Sequence, residues 1–77
     1  MNENKMNSSI PKFSKLQALL IENEHTYEDL ANIIGCSITT IQFKMVGKRK
    51  WDWVEMTAIK EHYNLDQDRF MSVFNFF

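Results

Sequence analysis

After Pro11 the chain contains no further proline, and its only glycines are Gly35 and Gly47. Proline removes a backbone donor and clashes with the preceding helical turn, while glycine loses the most conformational freedom on ordering. A stretch almost free of both offers little to interrupt helices, so their limits must be set by capping side chains. Five such signals occur in order: Ser14 with Gln17, Thr26 with Asp29, Ser37, Asp52 with Glu55, and Asp66. Each places a side-chain oxygen where it can accept an otherwise unpaired amide of a helix's first turn. The pattern predicts five short helices. No strand-like alternation of useful length and no internal repeat competes with them.

The apolar residues fall at helical spacing behind these caps. Leu16, Leu19 and Leu20 line the first helix, with Phe13 just outside it. Leu30, Ile33 and Ile34 line the second, and Ile38, Ile41 and Met45 the third. Trp53 or Val54, then Met56, Ile59 and Tyr63, line the fourth, and Phe70, Val73 and Phe74 the fifth. With 77 residues this is one small core, and a single cysteine can form no internal disulfide. No Cys/His set has zinc spacing, so packing alone must hold the fold. Residues 1–12, rich in Asn, Ser and Lys, read as a flexible N-terminal arm, and residues 13–77 as the folded domain.

The stretch Thr26-Tyr27-Glu28-Asp29-Leu30-Ala31-Asn32-Ile33-Ile34-Gly35-Cys36-Ser37-Ile38-Thr39-Thr40-Ile41 is the most informative. Two helices crossing closely through a short turn need a small residue where they touch, which Ala31 supplies. They need a positive φ at the turn, which Gly35 supplies, and a fresh cap, which Ser37 supplies. Leu30, Ile34, Cys36 and Ile41 fill the wedge between them. The expected fold class is therefore all-α, a compact five-helix domain containing a helix-turn-helix.

The net charge of −1 argues against a nucleic-acid binder, but its distribution does not. Residues 1–50 hold seven Lys or Arg against five acids, and residues 51–77 hold two against five. Four of the nine cations, Lys44, Lys48, Arg49 and Lys50, lie in one run without an acid among them. Local potential is what a polyanion meets.

These residues resemble the lambda-repressor/Cro (XRE) helix-turn-helix family over about residues 13–74. The run Thr26–Ala31 is similar to the start of that family's first motif helix, and Gly35-Cys36-Ser37 to its turn. Phe43-Lys44-Met45-Val46-Gly47-Lys48-Arg49-Lys50-Trp51 resembles a K-x-x-G-K-R-x-aromatic signature of small phage and prophage regulators of Gram-positive bacteria. The resemblance implies a lambda-repressor-like fold and a sequence-specific regulator of transcription, a repressor or Cro-like protein, bound to double-stranded DNA. It implies that the third helix, about residues 38–46, docks in the major groove and presents Ile38, Thr39, Gln42 and Phe43.

On that docking, Gln42 suits a bidentate pair with adenine, Thr39 a base or phosphate, and Ile38 and Phe43 a thymine methyl. Lys44, Lys48, Arg49 and Lys50 would neutralise phosphates. Tyr27, where many members carry Gln, would donate its hydroxyl to a phosphate. Operators of the family are often palindromic and bound by dimers, which makes pairing through the C-terminal aromatics, Phe76 and Phe77, a further expectation.

Alternatives stay open at several of these residues. Phe43 suits the core as well as a base, and one of Trp51 and Trp53 is expected to clamp the basic loop to the core. Cys36 reads as a small buried turn residue, and His25 and His62 as separate surface residues. A rival reading keeps the helical scaffold for a protein-interaction adaptor or antirepressor without DNA binding, which the neutral charge and the apolar Ile38 and Phe43 favour. No catalytic constellation, metal set or phosphate-binding glycine loop stands out, so neither enzyme activity nor a cofactor nor a small-molecule substrate is expected. No apolar run reaches the roughly 18 residues of a membrane span, and the polar start lacks a signal peptide's apolar region; a cytoplasmic protein is expected.

Overall fold

The computed structural model describes residues 12–76, which form five α-helices and no strand. They are α1 (Ser14–Glu22), α2 (Tyr27–Ile34), α3 (Ile38–Met45), α4 (Trp53–His62) and α5 (Gln67–Val73). The all-helical expectation holds. Apart from Lys12, the arm expected over residues 1–12 lies outside the described residues, as does Phe77.

Four helices start at the predicted caps. Thr26 Oγ1 accepts from the Asp29 amide at 3.2 Å, while Asp29 Oδ2 accepts from the Thr26 amide at 2.7 Å. Asp52 and Glu55 form the same reciprocal pair, at 2.8 and 3.0 Å. Ser37 accepts from the Thr40 amide at 3.1 Å and Asp66 from the Arg69 amide at 2.8 Å. Such caps contribute about 1 kcal/mol each by satisfying amides that the helix leaves unpaired.

The predicted Ser14–Gln17 cap is not formed. Ser14 is already helical, and Phe13 occupies the cap position without a side-chain hydrogen bond. Phe13 is held instead by its amide, which donates to Met45 O at 3.2 Å, and by edge contacts of its ring with Trp51 and Phe74. Gln17 turns away and donates to the Tyr27 hydroxyl at 3.4 Å.

All five helices end in one way. A residue with positive φ follows each (Glu24, Gly35, Gly47, Asn64, Asn75), and the next amide donates to the carbonyl five residues back. The five bonds are His25 to Leu20, Cys36 to Ala31, Lys48 to Phe43, Leu65 to Lys60 and Phe76 to Met71, all between 2.8 and 3.0 Å. This closure satisfies carbonyls that would otherwise be left open at the helix end.

The core is one cluster. Leu16, Leu19 and Leu20 come from α1, Leu30 and Ala31 from α2, Ile41 and Met45 from α3, Met56 and Ile59 from α4, and Phe70 and Val73 from α5. Trp51, Leu65 and Phe74 complete it from outside the helices. α2 packs on α3 and α4, and α1 on α5. Neither Trp53 nor Val54 is buried, at 64% and 77% exposure, which corrects the expectation that one of them would be. Trp51, just before the α4 cap, takes the place in the core instead.

Two further expectations change. Cys36 is half-buried against the core rather than enclosed, and burial pushes its thiol up, the nearby Glu55 carboxylate adding to the effect. His25 and His62 are not separate: their ring centroids lie 6.1 Å apart. His25 Nδ1 is 2.5 Å from the Tyr63 hydroxyl, joining the α1–α2 turn to the end of α4. Among the described residues no helix is long and apolar enough to cross a membrane.

Candidate nucleic-acid interface

α2 and α3 are joined by only three residues, Gly35, Cys36 and Ser37. Gly35, at φ 86, reverses the chain, its amide donating to Ala31 O at 2.7 Å. Ser37 then caps α3, and Ile41 and Met45 anchor that helix in the core. With those two residues buried, the opposite face is fixed outward. Ile38 and Phe43 are 43% and 42% exposed, and Thr39 and Gln42 are exposed beside them. The offsets of one, four and five residues from Ile38 bring these four side chains together on one side of α3. Phe43 is thus a surface residue, not a core one.

The loop after α3 is shaped from the backbone. The Phe43 carbonyl accepts from the amides of both Lys48 and Arg49, at 2.8 and 3.3 Å, curling the loop back over the helix end. Lys48, Arg49 and Lys50 are exposed, and none has an ion-pair partner among the described residues.

Lys44 does not belong with them, which corrects its expected role as a phosphate contact. It is buried to 5% exposure, and its Nζ donates to Glu55 Oε1 and to Lys50 O, both at 2.7 Å. The same ammonium lies 5.5 Å from the centre of the Trp51 ring. Three partners thus compensate the desolvation of this buried charge. Lys44 ties the carbonyl of the loop's last cation to the first turn of α4, and so holds the loop in place from beneath.

Trp51, at 9% exposure, is the residue that clamps the loop to the core; Trp53 only edges Phe70, with ring centroids 5.9 Å apart. Tyr27, at the first position of α2, is half-buried. Burial pushes its hydroxyl pKa up, the bond from Gln17 opposing this in part. The hydroxyl stays protonated near neutrality and keeps its own proton to donate. The one cation that sequence reasoning left out of this group is Lys12. A Cβ on Gly47 would lie 2.8 Å from Lys12 Cδ, so the Lys12 stem packs over Gly47 at the start of the basic loop, with its ammonium 6.0 Å from the centre of the Phe13 ring. Nothing in its local sequence signals this, because the approach is made by the fold.

Among the described residues, no group of three or more His, Cys, Asp or Glu side chains is placed to hold a metal ion. Compared with protein-family models, with curated proteins and with solved structures, the chain gives no match.

Proposed function

We propose that this protein is a sequence-specific double-stranded DNA-binding regulator of transcription, of the helix-turn-helix type that its sequence resembles. The observation that carries the reading is the union of two surfaces. The outward face of α3 mixes hydrogen-bonding and apolar side chains, and it is continuous in the chain with three exposed cations free of ion pairs. That combination suits a helix laid in the major groove and flanked by phosphates.

In this reading Gln42 and Thr39 meet base edges, and Ile38 and Phe43 meet thymine methyls. Lys48, Arg49 and Lys50 pair with phosphates, joined by Lys12 beside them and by the Tyr27 hydroxyl. Lys44 is a positioning residue that acts through Lys50 and Trp51. A palindromic operator would require two copies, whose contact this reading assigns to the C-terminal aromatics Phe76, half exposed, and Phe77.

Selection of bound sites from a random duplex library, at low and at moderate salt, tests the proposal. A recovered consensus with affinity that falls as salt rises is expected, and Gln42→Ala should relax preference at one base position while leaving the others. Failure to bind any duplex at low salt would overturn it. The second reading, an adaptor that meets another protein, is favoured by the exposed Ile38 and Phe43 together with the overall charge of −1. It predicts a complex that survives salt and is lost on Phe43→Ser.

A further inference from the structure

Among the described residues, the outward face of α3 presents no charged side chain. The helix has one cation, Lys44, and the fold withdraws it beneath the surface, at 5% exposure and bonded to Glu55 and to Lys50 O. What remains outside is Ile38, Thr39, Gln42 and Phe43. The Thr40 hydroxyl, half-buried, is engaged at 3.0 Å with that of Ser37 and belongs to the cap. Such a face holds neither the Arg or Lys that suits guanine nor the carboxylate that suits the cytosine amino group. Two of its four members are large apolar side chains in water, with no polar atom beyond the backbone.

We infer that α3 responds to the C5-methyl group of a pyrimidine rather than to the base pair that carries it, so that 5-methylcytosine serves where thymine does. The inference rests on the DNA-binding reading. Thymine and 5-methylcytosine carry this methyl at the same ring position in the major groove. They differ beside it, thymine presenting the O4 acceptor and cytosine the N4 donor. Telling them apart takes a fixed donor or acceptor next to the apolar contact. Ile38 and Phe43 have none, and the Thr39 hydroxyl beside them can both donate and accept. Gln42 discriminates only at its own base. Ile38 and Phe43 are five residues apart, a rise of about 7.5 Å, or about two base-pair steps, so they meet separate methyls. One buried methyl is worth about fourfold in affinity, and two about fifteenfold.

Alternating duplex polymers test this without knowledge of an operator, with the full chain at about 50 mM salt and no divalent cation. Poly(dA-dT) should bind about fifteenfold more tightly than poly(dA-dU), which differs only in lacking the methyl. Poly(dG-5-methyl-dC) should exceed poly(dG-dC) by a similar factor. Ile38→Ala and Phe43→Ala, both at exposed positions that the core does not need, should each cut these ratios to about fourfold. Equal affinity within either pair of polymers would overturn the methyl reading while DNA binding stood. Ratios that persist in the double variant would overturn it too, since they would then come from duplex shape. Binding to none of the four polymers would overturn the DNA reading itself, and this inference with it.

Discussion

Lys44 and Lys48 belong to one basic run, yet the fold separates their roles completely. Lys48 is exposed and unpaired; Lys44 is buried with two acceptors and a ring around its ammonium. Removing one partner of a buried ion pair leaves the other unpaired in a poorly solvated place. Lys44→Ala should therefore cost about 3 kcal/mol of folding stability in urea unfolding, whereas Lys48→Ala should change it by no more than about 0.5 kcal/mol. Equal effects would remove the distinction. The difference was not legible in the sequence, because Glu55 lies beyond the loop and a helix start. Cys36 belongs to the same scale. Its raised pKa leaves little thiolate near neutrality, so a disulfide reagent should label it more slowly in the folded chain than in the urea-unfolded one. Equal rates would contradict the raised value.

At the scale of the element, the helix starts were the most legible part of the fold. Thr26 with Asp29 and Asp52 with Glu55 are bonds between residues three apart, so the local sequence nearly determines them. Ser14 misled because a residue outside its helix, Phe13, gains more from tertiary packing than a cap would give. The ends were half legible. Gly35 and Gly47 announce a left-handed turn, but Glu24, Asn64 and Asn75 adopt the same geometry without announcing it. Asparagine visits that region more readily than other non-glycine residues; glutamate does so at a cost of about 1 kcal/mol.

Two opposite substitutions follow from this. Gly35→Ala, where a Cβ meets nothing within 4 Å, should destabilise by about 1 kcal/mol through backbone strain alone. Glu24→Gly, at φ 57, should be neutral or stabilising by a few tenths of a kcal/mol, read in the same unfolding curves. Acid tests the start of α2. The Thr26 amide and hydroxyl, donating to Asp29, hold its carboxyl below the usual carboxylate range. A depressed folded pKa means that the bond's contribution is complete above the unfolded value of about 3.9 and is lost as pH falls through the folded one. Asp29→Asn should lower stability at neutral pH and flatten its decline on acidification. An unchanged acid slope would show that the carboxylate does not matter there.

At the scale of the whole molecule, the charge is segregated by the fold more sharply than by the sequence. Counting residues gives a run of four cations, but Glu55 cancels Lys44, while Lys12 approaches the run from the far end of the domain. Of that run the free set at the surface is thus Lys48, Arg49 and Lys50, with Lys12 alongside; Lys15, on α1, is exposed as well. The two other cations described in contact lie elsewhere: Arg69 pairs with Glu22 at 2.6 Å, and the Lys60 ammonium lies 5.5 Å from the centre of the Phe70 ring.

If the loop meets duplex DNA as proposed, its three cations and Lys12 neutralise four phosphates per copy bound. The logarithm of affinity should then fall with the logarithm of salt at a slope of about −3.6. Replacing Lys48, Arg49 or Lys12 by Ala should shallow that slope by about 0.9 each. Lys60→Gln, away from the loop, should leave the slope where it was. The slope separates this face from the total charge, since every one of these variants removes one positive charge from the chain. Equal flattening by Lys60→Gln would mean that the DNA senses only the net charge, and the assignment of phosphates to the α3–α4 loop would fall while DNA binding itself stood.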